Sequence, residues 1–286
     1  MPARAPLVAR FGGIGLWLQA PETGGCPVAG VLGRAVAAVD VAVGAGIGSV
    51  WVSESPPAPH LGGYGALGSH GGVPYEAYSL LGALAVRTER VHLGVVADGA
   101  ERRAPSILTK IVTGVDVISH GRGVLALDGD CTSDADAERL LEALTVCRSV
   151  LVDEHPTYAG RIYSIDNAVN RPAPVQPGGV PIVVFLHGEG PGRAAELEVV
   201  ARLADAVVVD GGPDGVRDAC HAVAARAYDR EGGVPVEVLG RTPVGPTGVD
   251  LADRVGAMRS AGAAGCLVAT PYPWDAGPVA DVASNW

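Results

Sequence analysis

Short apolar runs alternate with helical patterns along the whole chain. Runs rich in Val, Ile and Leu begin near Val8, Ser49, Val91, Gly123, Ile182, Ala206, Val236 and Cys266. Most are apolar at consecutive positions (VWVS, LGVV, IVVFL, AVVV, CLVA), the signature of parallel strands covered by helices on both faces. Between them, apolar residues recur at helical spacing. Ala77, Leu81 and Leu84 share a face in the second helical stretch, Ile107, Ile111, Val115 and Ile118 in the third, and Leu140, Leu144, Cys147 and Leu151 in the fourth. Pro105 suits the first turn of the third helix and Gly121 the cap beyond its end. Ser133 with Asp136 makes a weak capping-box signal for the fourth. Eight such strand–helix units predict an α/β fold, a closed (β/α)8 TIM barrel, as a single domain over residues 1–286. An open nucleotide-binding sheet would carry GxGxxG after an early strand, and none stands there.

Two stretches interrupt the rhythm. Residues 55–74 (SPPAPHLGGYGALGSHGGVP) read as a long Pro/Gly loop after the second strand. Residues 153–180 form a long connection into the fifth strand and contain a short strand candidate, RIYSI. Barrels of this kind place their sites on the loops at the carboxyl ends of the strands, so 55–74 is a candidate substrate lid; the plainer reading is a surface excursion.

The composition narrows the choice. A chain of 286 residues that is 48% hydrophobic can bury a large core, and its net charge of −10 argues against nonspecific nucleic-acid binding. Apolar runs stay below the ~18 residues of a membrane span. Five cysteines, an odd number without a CxxC pair, and the lack of a secretory signal point to reduced thiols in a cytoplasmic protein. Lysine occurs once, at Lys110, and the Ala, Gly, Val and Arg richness suggests a GC-rich genome such as an actinobacterium's. Lys110 falls on a helix, which gives no support to a Schiff-base aldolase, and no Ser-His-Asp, Cys-His or HExxH arrangement is evident. No metal site is expected. Tyr272 and Trp274, after the last strand, either stack on a ligand or pack beneath the C-terminal segment, while Trp17 and Trp51 lie on strands as core.

Six stretches, in order, resemble the bacterial luciferase-like monooxygenase family. They are GSVWVSE, YEAYSLLGALAVRTERVHLG, APSILTKIVTGVDVISHGRGVLAL, RIYSIDNAVNRPAPVQPGGVPIVV, GEGPGRAAELEVVARLADAVVV and TGVDLADRVGAMRSAGAAGCLVAT. The resemblance implies an oxidoreductase or monooxygenase that uses FMN or the deazaflavin coenzyme F-420 (F420) on a small-molecule substrate. A flavin reductase is implied as a possible partner in the FMN version, and a homodimer as the assembly. It further implies residue roles. Glu54 and Ser55 stand where the family often has Asp-His; Glu54 keeps a carboxylate able to act as a base, and His60 in the following loop is the candidate replacement imidazole. Val96, Ala97 and Asp98 match a third-strand end that commonly carries a non-proline cis peptide against the ring. Gly129 matches a Gly-rich fourth-strand end, here flanked by Asp128 and Asp130, whose charges oppose a phosphate. His187, Gly188, Glu189 and Gly190 match the phosphate-proximal loop, where helix N-terminal N–H groups attract anions. The connection after the seventh strand lacks the family's usual insertion. A divergent, non-catalytic paralogue that binds a ligand or a partner is the alternative.

Overall fold

The computed structural model describes residues 13–19, 29–53, 75–97, 103–129, 133–186, 193–225, 236–245 and 250–286. Eight parallel strands close into a ring in sequence order: β1 Ile14–Leu18, β2 Ser49–Ser53, β3 His92–Ala97, β4 Gly123–Asp128, β5 Ile182–Leu186, β6 Ala206–Val209, β7 Glu237–Pro243 and β8 Gly265–Thr270. Closure comes from β1 pairing with β8, Ile14 opposite Cys266 and Leu18 opposite Thr270. The outer helices are α1 Val31–Gly44, α2 Ala77–Arg87, α3 Pro105–Ile118, α4 Asp134–Val152, α5 Arg193–Leu203, α6 Gly212–Ala224, α7 Leu251–Ser260 and α8 Gly277–Ala283. None of the described helices is long and apolar enough to cross a membrane.

Alternation along each strand divides the core in two. One set of side chains packs outward under the helices, among them Leu16, Val50, Leu93, Leu125 and Ile182. The other fills the lumen: Trp17, Trp51, Val124, Ala126, Val183, Phe185, Val208, Leu239 and Leu267 among them. The Trp51 indole fits inside an eight-stranded ring because Gly94 faces it, and Gly15 leaves space for its neighbours. A Cβ on Gly94 would lie 2.5 Å from the Trp51 ring, and one on Gly15 would lie 2.5 Å from both Ser49 Oγ and Leu267 Cδ2.

That requirement explains one correction. The apolar pattern predicts a first strand near Val8, whereas β1 is Ile14–Leu18 and residues 1–12 lie outside the described residues. Gly15 interrupts the apolar pattern, yet it is a lumen position where Ser49 Oγ and Leu267 Cδ2 leave no room for a side chain. A second correction concerns α3. Ile107 and Ile118 are exposed, and the buried face carries Leu108, Thr109, Val112, Thr113, Val115 and Asp116. Polar residues hold that face because each finds a partner there. Thr109 and Thr113 donate to the carbonyls of Pro105 and Thr109, and the Asp116 carboxylate accepts from the N–H groups of Gly123 and Val175 and from Gln176 Nε2. The remaining helical expectations hold. Ala77, Leu81, Leu84, Leu140, Leu144, Cys147 and Leu151 are buried, Pro105 opens α3, and Ser133 Oγ accepts from the Asp136 N–H.

The 153–180 connection contains an antiparallel pair, Tyr158–Ala159 with Ser164–Ile165. Its turn is tied to α4 by Glu142, whose carboxylate accepts from the N–H groups of Arg161, Ile162 and Tyr163 at 2.7, 2.9 and 2.8 Å. The Tyr163 N–H, helped by those of Ile162 and Arg161 and opposed by burial, holds this carboxyl below its ordinary pKa. A carboxyl depressed in the folded state stabilises it above the unfolded pKa, and loses that contribution as pH falls through the folded value. Glu142→Gln is therefore expected to lower the urea midpoint at pH 7 and to converge with the parent at acidic pH. A gap that stays constant with pH would refute this role.

Candidate functional site at the carboxyl rim

The carboxyl end of the lumen is closed by its own side chains. Trp17, 5% exposed, donates from Nε1 to Ser53 Oγ at 2.6 Å and meets Phe185 edge-on, with ring centroids 5.3 Å apart. Phe185 also meets Trp51 edge-on at 5.6 Å, and Trp51 Nε1 donates to Ser49 Oγ at 3.0 Å deeper in the barrel. The guanidinium of Arg241 lies over the Trp17 indole, 4.5 Å from the ring centroid. Its Nε forms an ion pair with Asp210 Oδ1 at 3.1 Å.

Strand alternation and register bring these groups together. Leu239 faces the lumen on β7, so Arg241, two residues on, does as well. Val209 on β6 is level with Gly240 on β7, which sets Asp210 beside Arg241. On β4, Val124 and Ala126 face the lumen and Asp128 follows them at the strand's end, half-buried. An indole, a guanidinium and two carboxylates thus form a polar floor above a solid apolar lumen. Arg241, Asp210 and the rim position of Trp17 were missed at the level of the sequence. Their signal is a charged residue at an inward strand position (VEVLGRTP), where an apolar one would otherwise be expected.

The predicted residues distribute unevenly over this rim. Val96 and Ala97 end β3, with Val96 level with Ser53 of β2 and Ala126 of β4, and Ala97 level with Leu127. Gly129 donates its N–H to the Phe185 carbonyl at 2.7 Å, and a Cβ there would meet Leu186 Cδ2 at 2.7 Å. Packing against β5 therefore requires glycine at this position, independent of any ligand. Glu54, which follows Ser53 directly, lies outside the described residues, as do His60, Asp98, His187, Gly188, Glu189 and Gly190. The loop 55–74 does too.

Trp274 packs rather than lining the rim. It is 3% exposed, its Nε1 donates to the Gln19 carbonyl at 2.7 Å, and Tyr272 and Tyr75 surround its ring at 5.1 and 6.0 Å. Among the described cysteines, burial pushes the thiols of Cys147 and Cys266 up to about 11 and about 12, so both stay protonated and neither acts as a nucleophile.

Comparison with known proteins decides the family. The model of the luciferase-like monooxygenase family matches residues 11–248. The chain belongs to that family. It is 28% identical over 157 residues to an F420-dependent glucose-6-phosphate dehydrogenase of Microbacterium testaceum, a match covering 50% of this chain and 45% of the relative. The chain thus spans about half the length of that curated relative. Among solved structures, it is similar to an F420-dependent secondary alcohol dehydrogenase in complex with an F420-acetone adduct, at TM-score 0.71 and 14% identity over 96% of this chain and 97% of that one. It is likewise similar to the oxygenating constituent of 3,6-diketocamphane monooxygenase of Pseudomonas putida in complex with FMN, at TM-score 0.64 and 14% identity over 93% and 96%. At such identities the structures establish the shared barrel alone. Within this luciferase-like barrel, β7 ends at Pro243 and α7 begins at Leu251, the short connection that the sequence predicts.

Proposed function

We propose that this luciferase-like protein is an oxidoreductase that binds F420 or FMN at the carboxyl rim and reduces or oxygenates a small organic substrate. The observation that carries the reading is the polar floor itself: the lumen is solid up to Trp17 and Phe185, so a ligand must lie above them, against Arg241 and the ends of β2, β3 and β4. The described floor suits a planar heterocycle, because guanidinium donors complement the carbonyl-bearing edge of such a ring.

In this reading the phosphate belongs to His187, Gly188, Glu189 and Gly190 at the start of α5, held by backbone N–H groups. Val96, Ala97, Asp98 and Gly129 border the ring. Glu54, next in sequence after β2, supplies a carboxylate that accepts or returns a substrate proton, with His60 as a second acid–base group from the loop. Loop 55–74 covers the substrate and excludes water. When bound, F420 supplies hydride transfer, and FMN supplies oxygen chemistry with a separate reductase. We place the protein in the cytoplasm as a homodimer whose partner helps to cover a rim left open by the short β7–α7 connection.

Titrating the full chain with F420 and with FMN tests the proposal. Saturable quenching of one of them, with Glu54→Gln binding equally well and turning over at least about tenfold more slowly, is the expected result. A second reading is a non-catalytic, ligand-binding paralogue. It is favoured by Ser55 at the family's histidine position and by Asp128 at the rim, and it predicts no saturable binding of either cofactor.

A further inference from the structure

Arg241 has more donors than its protein partners use. Its Nε side is ion-paired with Asp210 and one face of its plane lies over Trp17. Among the described residues, Nη1 and Nη2 donate to no protein group, and the side chain is 23% exposed. The two terminal nitrogens form the end-on edge of the guanidinium fork, whose parallel N–H bonds match the two oxygens of a planar oxyanion. The indole below and the carboxylate beside it fix the plane of the fork, so little rotamer freedom remains to be lost on binding. Asp210 offsets the charge of Arg241, and Asp128 adds a carboxylate to the same floor. Recognition therefore depends on the paired donors rather than on a positive field.

We propose that Arg241 is an anion-recognition residue of this rim, taking one planar, delocalised oxyanion end-on between Nη1 and Nη2. The inference rests on the reading of the rim as the ligand site. The oxyanion has two sources, a carboxylate on the substrate or the N1–C2=O edge of the reduced ring, and they are separable. Isothermal titration of the full chain with benzoate and with benzamide, its neutral counterpart of the same shape, reads the first. Benzoate is expected to bind at least about tenfold more tightly than benzamide, Arg241→Gln to abolish that preference, and Arg241→Lys to keep only part of it, because an ammonium cannot present two parallel donors. Affinities of oxidised and two-electron-reduced FMN and F420, measured under argon for the parent and for Arg241→Gln, read the second. A substitution that weakens the reduced form alone by about tenfold assigns the ring edge, and one that alters benzoate alone assigns a substrate carboxylate. Either result supports the proposal. Parent protein without a benzoate preference, together with a reduced-to-oxidised affinity ratio that Arg241→Gln leaves unchanged, overturns it. If neither cofactor binds while the benzoate preference persists, the cofactor reading fails and the anion site stands.

Discussion

Trp51→Ala is expected to lower the unfolding free energy by about 3–5 kcal/mol, a large part of the ~5–15 kcal/mol that holds a typical domain. Trp51 is fully buried inside the barrel, edge-on to Phe185 and against the Cα of Gly94. No helix or loop can move into the space that truncation leaves, because eight hydrogen-bonded strands fix its walls. The removed ring therefore costs both its transfer from water and the void. Gly94 provides an internal check. Gly94→Val should destabilise the parent, since its side chain would meet the Trp51 ring, and should be tolerated far better beside Trp51→Ala. Urea unfolding of the two single variants and the double variant measures this. Additive losses would show that the indole does not set the lumen's volume.

Arg122→Ala is expected to cost about as much, roughly 3–5 kcal/mol, through hydrogen bonds rather than volume. Arg122 is 9% exposed and donates to the carbonyls of Ala85, Thr88, Val91 and Ser119 and to Thr88 Oγ1. These carbonyls end α2, start β3 and end α3, so one guanidinium caps two helices and ties them to the sheet. Its loss leaves buried acceptors unpaired. Arg122→Lys should recover little, since a single ammonium cannot span five acceptors. Differential scanning calorimetry of the two variants measures the loss, and a lysine variant as stable as the parent would contradict it.

The barrel was legible because its determinants are periodic. Seven of the eight strands start within a residue of where an apolar run begins, as with Ser49, Gly123, Ile182 and Ala206. β1 lies later than the Val8 run because Gly15 breaks the apolar pattern in one dimension and is a packing site in three. The buried face of α3 departs from the apolar spacing for a related reason. Asp116 and the two threonines are buried through partners at Gly123, Val175 and Gln176, which no helical pattern encodes. Of the rim, the sequence showed Asp128 and the ends of β3 and β4. It concealed the joining of Trp17, Asp210 and Arg241, which lie on β1, after β6 and on β7 and meet only when the ring closes. Gly121 was legible as the cap beyond α3, while the role of the neighbouring Arg122, capping α2, emerges from the hydrogen bonds.

The central claim, a planar redox ring seated on the carboxyl rim, is tested most directly by a crystal structure of the full chain soaked with whichever cofactor binds. The account predicts ring density above Trp17, bordered by the ends of β2, β3 and β4 and within hydrogen-bonding reach of Arg241. Density at the amino-terminal mouth of the barrel or on the outer helices, with the Trp17–Arg241 floor bare, would contradict it.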